Sequence, residues 1–491
     1  MEAERQKKLA EDGRAQLAAQ AVELEKALDN AKKAQLEAET NYREALRLEK
    51  IAVAAEGKER VARDEAITKT EEARSERDRA NGLLYLSIAQ SMEAKSVTMD
   101  DKDLAGLLAM QGYLYHSKYG GRIYDPYVFS GLYYSIAKLT ENYNYNQIRI
   151  PGNLKNKMFG LAVSKKGNGF YTTGNDGRIF RGDYQKLSAD NLIDFNPYPN
   201  RVLALSVDEK YLINGSDSSA IQIFHLDQPG EKPGIAKGHT GSVYDIKFLP
   251  DNSGFISVGS DRTVRSTSHL TGHGKVIATF PYDVKSIDIS PDGKWLAGVA
   301  ATGQLIMMNL VDNTFELKVD ESKNQVRVLS VAFHPTRQVL AYGTEFLDKD
   351  GKWKGSVKLF NYSTLETLRE LRGHNAGVSD VEFSPDGLLL ASAGYDKKLQ
   401  MWVVDHETDL PVVMDNNSGN IWRLAFTTGS NYLLASCNNG EIRVWPTNPK
   451  MLADQICPKL ERNMSKDEWE IYVGNGIGYE STCKNLLISD F

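Results

Sequence analysis

Apolar positions divide the chain into three regimes. From 143 to 446 they fall in short runs separated by turn residues, and the clearest copy is GHNAGVSDVEFSPDGLLLASAGYDKKLQMWVV at 373–404. It predicts three strands at 378–383, 388–393 and 399–404, with a Ser-Pro-Asp-Gly turn after the first and a tight turn carrying Asp396 after the second. The run 388–393 hardly alternates, as in a strand covered on both faces. From 82 to 140 the apolar spacing changes to three and four. That predicts packed helices at 83–92, 104–115 and 127–139, with Asp100 and Asp101 before the second and Asp125-Pro126 at the start of the third. Residues 1–81 have no proline, one aromatic (Tyr42), and mostly Ala, Glu, Lys, Arg and Leu. This predicts one long helix, about 120 Å if unbroken. Its leucines do not hold a steady heptad and alanines fill much of the seam, so it reads as a weak coiled coil, either an oligomerising spacer or a solvated helix.

The strand unit repeats. The last apolar residue of its first strand recurs at Val163, Leu205, Phe248, Ile289, Phe333, Phe383 and Phe426, at roughly the 40- to 50-residue period of propeller blades. A third strand follows each time, as at 221–224, 264–267 and 442–445. Gly-His pairs at 238–239 and 373–374, turn acids at Asp176, Asp217, Asp261 and Asp396, and strand-ending Trp402 and Trp445 complete the pattern. The chain thus resembles the WD40-repeat proteins. The fold expected is mainly β: a seven-bladed WD40 propeller at 143–446, preceded by the long helix (1–81) and a small helical module (82–142) and followed by a helical tail (447–491). The alternating stretch YNYNQIRI at 143–150 is expected to complete the seventh blade, because closure removes sheet edges.

The resemblance assigns His374, Ser392, Asp396 and Trp402 to a structural hydrogen-bonding tetrad. His239, Ser257 and Asp261 make a similar set in the third repeat, where Thr267 stands in the tryptophan position. Physical chemistry agrees, since a buried histidine needs partners for both nitrogens. A Ser-His-Asp set also suits a hydrolase, but no nucleophile elbow accompanies it. Gly272-His273 follows a third strand and is expected in a surface loop. The fifth repeat carries an insertion, FLDKDGKWKG at 346–355, on the face where partners bind in this family. It places Lys349, Lys352, Trp353 and Lys354 in a loop that is either a partner-binding feature or a solvated hairpin extension. Tyr244, Lys285, Arg327, Tyr395, Trp422 and Arg423, at strand entries or second turns, are further partner-binding candidates.

The net charge of -6 gives no basic stripe for nucleic acid. No apolar run is long enough to cross a membrane, and the N-terminus lacks an apolar signal core, so the expected location is cytoplasmic. Cys437, Cys457 and Cys483 are widely spaced and odd in number, which predicts small apolar side chains rather than disulfides. Neither a phosphate loop nor metal-ligand spacing occurs, and no cofactor or metal is expected. The tail LERNMSKDEWEIYVGNGIGYESTCKNL, with the helices before the propeller, resembles bacterial coiled-coil/WD40 proteins and the C-terminal sensor half of STAND-type signalling NTPases. The function expected is a non-catalytic interaction scaffold or sensor that binds a protein or peptide, with possible homo-oligomerisation through the N-terminal helix. Alternatives are a propeller enzyme using Asp245, Asp288 and Asp380 in the channel, or a fragment of a larger signalling NTPase.

Overall fold

A computed structural model describes residues 2–54, 60–151, 156–195, 197–405 and 410–487. The chain forms two units, 1–145 with 449–491, and 146–448.

In the first unit, helix α1 (Glu2–Ala54) and helix α2 (Arg60–Thr98) lie side by side and antiparallel. Thr70 of α2 donates to the Ala45 carbonyl at 3.3 Å, and one heptad further along α2 the Arg77 guanidinium lies over the ring of Tyr42. The expected single helix over 1–81 is therefore two helices, and the expected boundary at 81/82 falls inside α2. The reason is the small-residue stripe. Ala38 and Ala45 on α1 and Ala66, Ala73 and Ala80 on α2 recur in sevens and are all buried, so each helix covers a stripe that a lone rod would leave in water. The seam is thus used within the chain, while Leu36, Leu48 and Ile51 face outward.

Helix α3 (Lys102–Lys118) is capped by Asp101, whose side chain accepts from Leu104 N at 2.9 Å. Helix α4 (Pro126–Leu139) is capped by Asp125, with Pro126 in its first turn. Lys138 closes the C-terminal end of α2 by donating to the carbonyls of Ser96 and Val97 at 2.9 and 2.8 Å, a cation placed where a helix leaves acceptors unpaired.

The tail belongs to this unit. Helices α5 (Pro449–Ala453) and α6 (Lys466–Tyr472) flank an irregular segment, and α6 begins with a full capping box between Ser465 and Glu468. A Cβ at Gly106 of α3 would lie 3.0 Å from Leu460, so that glycine lets the tail approach closely. Cys457 and Cys483 form a disulfide, with Cα atoms 5.7 Å apart. This corrects the expectation of three unpaired cysteines: pairing depends on the tail folding back across 26 residues, which spacing does not reveal. Cys437 is buried and unpaired.

The second unit is seven four-stranded antiparallel sheets in sequential order. Blades 1 to 6 span 158–195, 200–236, 243–279, 284–320, 327–374 and 378–414. Blade 7 takes three strands from 421–446 and its fourth from Gln147–Arg149, which pairs Gln147 with Arg443 and Arg149 with Glu441. The ring closes with both ends of the sequence. Arg443 is fully buried at this closure, bonded to Glu441 at 3.2 Å and to the Asn146 side chain at 3.1 Å. Blades adhere through apolar side chains of neighbours: Ile256 and Val264 of blade 3 share one cluster with Ile287, Leu296 and Met308 of blade 4.

Candidate functional site

Each blade's first strand lies beside the first strands of its neighbours, and that of blade 7 beside that of blade 1, so these strands line the central channel. Every one of them is bulged at the same point near its entry. The extra residue of a bulge is unpaired and its side chain is re-aimed. The bulged residues are Phe159, Arg201, Tyr244, Lys285, Leu329, Ser379 and Trp422, all partly exposed at one mouth of the channel.

Several of these side chains touch in succession. Lys285 Nζ sits 3.4 Å above the Tyr244 ring, and the Arg201 guanidinium lies 5.0 Å from the Phe159 ring centre, so in both cases a cation covers the aromatic ring of the preceding blade. Phe159 meets Trp422 edge to face at 5.0 Å, and Trp422 meets Tyr395, from the second turn of blade 6, at 5.6 Å. The Trp422 indole N–H donates to Asn438 at 2.7 Å. Arg201 is held by two 2.8 Å bonds to Asp217, Lys285 by Asp283 at 2.7 Å, and Arg327 by Glu345. Five of the partner-binding candidates thus fall on or beside this belt: Tyr244, Lys285, Arg327, Tyr395 and Trp422.

Arg423 points into the channel. It bridges Asp245 of blade 3 at 3.1 Å and Asp380 of blade 6 at 3.5 Å; burial works against its charge, but the two carboxylates outweigh burial and hold its guanidinium above the usual range. The channel aspartates are tied to the frame as well. Asp245 accepts from Ile287 N at 3.0 Å, Asp288 from Phe333 N at 2.7 Å and Asp380 from Leu424 N at 2.7 Å, each on the next blade. Lys247 adds a 3.2 Å contact to Asp288. These carboxylates latch blades together. Glu382, deeper in the channel, is pushed up to about 8 by burial, against the pull of Lys247.

The two tetrads assemble. His374 Nδ1 contacts the Asp396 carboxylate at 3.1 Å and Nε2 contacts Ser392 Oγ at 2.9 Å, while the Trp402 indole N–H donates to the same hydroxyl at 3.3 Å. His239 repeats this with Asp261 at 3.0 Å and Ser257 at 2.9 Å. Thr263, rather than a tryptophan, supplies the extra hydroxyl there, donating to Asp261 at 2.8 Å. Both histidines are buried. Gly272-His273 lies in the connection after the third strand of blade 3, outside its tetrad.

The insertion is a hairpin extension, one of the two readings expected of it. The second strand of blade 5 runs to Leu347 and the third begins at Trp353, with Leu347 opposite Trp353 and Phe346 opposite Lys354. The strand pattern continues because 339–347 and 353–361 keep cross-strand partners. Trp353 is half-exposed beside the equally exposed Leu347. Lys354 donates to Asn375 at 2.7 Å, and Lys352 is exposed in the turn that Asp348 organises. Trp353 stands apart from the aromatic belt.

Phe159, Arg201, Leu329 and Ser379 were not among the sequence candidates, yet the signal was present. Each bulged residue lies four positions before the repeating apolar residue, Phe159 before Val163 and Trp422 before Phe426.

The family profile for "WD domain, G-beta repeat" matches residues 230–267, 365–403 and 410–446. The chain carries WD40 repeats. Together with the seven sheets in a closed ring, this makes the second unit a seven-bladed WD40 propeller. Similar proteins include the "Serine-threonine kinase receptor-associated protein" of Gallus gallus, 26% identical over 45% of this chain and 59% of that protein. The "Eukaryotic translation initiation factor 3 subunit I" of Aspergillus oryzae is 28% identical over 35% of this chain and 52% of its own length. The "Pre-mRNA-processing factor 19 homolog 2" of Arabidopsis thaliana is 23% identical over 38% and 34%. The chain therefore spans three fifths or less of these relatives, and none of them bears on the expected kinship with bacterial signalling proteins. Among the described residues no helix is long and apolar enough to cross a membrane.

Proposed function

We propose that the WD40 propeller is a non-catalytic docking platform that holds a protein or peptide partner on the channel-mouth face. The observation that carries this reading is the recurrence of one bulge at one strand position in all seven blades, which turns a set of aromatic and cationic side chains to the same mouth. Such side chains, half-exposed on a rigid ring, supply anchors without a large ordering cost. The names of two similar proteins speak of association with a receptor and of a subunit of a larger factor, in keeping with a partner-holding role. The channel-enzyme alternative is disfavoured because Asp245, Asp288 and Asp380 are each committed to a neighbouring blade. Affinity capture with the whole chain, compared with the Trp422→Ala variant, tests the proposal. Loss of the captured partners in the variant is expected; equal recovery contradicts it.

Finer features belong to the same proposal. As a sensor half of a larger signalling protein, the chain would have an NTPase coding sequence directly upstream, which genomic context decides. Self-association would use the outward Leu36, Leu48 and Ile51, since the alanine seam is already filled. Light scattering of the Leu36→Lys, Leu48→Lys variant checks this. A cytoplasmic location and the Cys457–Cys483 disulfide pull in opposite directions. Mass spectrometry of alkylated, unreduced protein from its native source decides between them.

A further inference from the structure

The mouth has a definite sign and a definite vacancy pattern. Most of its cations are paired, but the pairs are not symmetric toward solvent. Side-chain exposure is 40% for Arg201 against 24% for Asp217 and 48% for Arg327 against 9% for Glu345. Only Lys285, at 35% against 42% for Asp283, runs the other way. The acids sit inside and hold the cations outward, so an approaching partner meets positive charge first. At the tip of the blade 5 hairpin, Asp348 and Asp350 balance Lys349 and Lys352, and the tip adds no sign of its own.

Two of the aromatic faces are also covered. Lys285 covers Tyr244 and Arg201 covers Phe159, so at those rings a guest cation would have to displace a resident one and face its repulsion. The belt is lowest at blades 5 and 6. There the bulged residues are Leu329 and Ser379, and the Ser379 hydroxyl is turned inward, donating to the Ile421 carbonyl of blade 7 at 2.6 Å with the Ala393 carbonyl of its own sheet 3.1 Å away. Trp422 and Tyr395 stand beside this low sector, with Arg327 at the entry of the same blade 5 strand.

Resting on the reading of the mouth as the docking face, we propose that its partner is an acidic peptide segment with one aromatic anchor. The anchor packs against Trp422, Tyr395 and Leu329, and the flanking carboxylates meet Arg327, Lys285 and Arg201. Each of these cations keeps its own acid and still has N–H groups to offer, because guanidinium has five donors and ammonium three. Complementary charge of this kind sets partner choice and on-rate more than raw affinity, and salt weakens it.

The test uses the whole chain and three fluorescein-labelled peptides of about a dozen residues, a length an interface of this kind accommodates. The first has Asp, Glu and Gly around a single Phe; the second replaces Phe by Ala; the third replaces every acid by Lys. Fluorescence anisotropy should show binding of the first, weakening as salt rises, with roughly tenfold loss on removing the aromatic anchor. Arg327→Ala and Lys285→Ala should each weaken it about fivefold, and Trp422→Ala should weaken it further, with Trp422→Phe restoring part of the affinity. Thermal melts confirm that the variants fold. Tighter binding of the lysine peptide overturns the proposal; if that binding is lost in Trp422→Ala, the mouth remains the docking face and only the partner's chemistry is wrong. Acidic-peptide binding indifferent to both Trp422→Ala and Arg327→Ala, or no binding by any peptide, also overturns it.

Discussion

His374 and His239 each engage both ring nitrogens in a buried site, and their chemistry is that of braces. Replacing His374 by Ala leaves the Ser392 hydroxyl with the Trp402 N–H alone and takes the ring contact from Asp396, so the propeller should lose about 1–3 kcal/mol, the cost of buried polar groups that lose a partner. A denaturant titration reads this directly. A different buried pair stands in the helical unit, where Glu93 of α2 faces His116 of α3 at 3.4 Å, with Asp125 also near. Burial pushes the Glu93 carboxyl up to about 7. Burial pulls His116 down, but the close Glu93 carboxylate, with Asp125 behind it, raises it overall. Both groups hold protons more tightly when folded, so their stabilisation is present at low pH and is lost as pH rises from the unfolded carboxylate range through about 7. Melting of the helical unit followed from pH 5 to 8.5 should therefore fall with rising pH, and Glu93→Gln should flatten the slope.

At the scale of elements, the strand 147–149 and the bulged first strands position the site. Removing 143–150 takes away the fourth strand of blade 7 and the Asn146 partner of the buried Arg443. The whole propeller, not one blade, should melt lower; an unchanged melting curve would count against closure. In the tail, a Cys457→Ser, Cys483→Ser variant reopens a loop of 26 residues. By the chain-entropy argument it should lose about 3 kcal/mol, read by loss of amide protection around α6. The blades were legible in the sequence because each repeats the same strand periodicity and turns, and the caps at Asp101 and Asp125 were legible because capping is local. The hairpin of α1 and α2 was not: the Ala66, Ala73, Ala80 stripe predicts a seam but not whether its partner is the same chain. The Cys457–Cys483 pairing was hidden for the same reason, and the choice between a binding loop and a hairpin extension for the insertion stayed open because composition does not display cross-strand partners. Phe159 and Arg201 were readable in principle, but only by aligning the repeats on their apolar anchor.

At the scale of the molecule, seven repeats matter because they put seven bulges around one opening, while the channel carboxylates and Arg423 tie blade to blade beneath it. A platform of this sort needs the ring to stay rigid and lets the mouth residues vary. The central claim is that partners are held at that mouth. Hydrogen–deuterium exchange of the whole chain, with and without a captured partner, tests it most directly. The account predicts protection of the strand entries around Phe159, Arg201, Tyr244, Lys285 and Trp422 and of the turn at Tyr395. Protection confined to the opposite ends of the blades, at turns such as 164–168, 206–210 and 384–388, would contradict it.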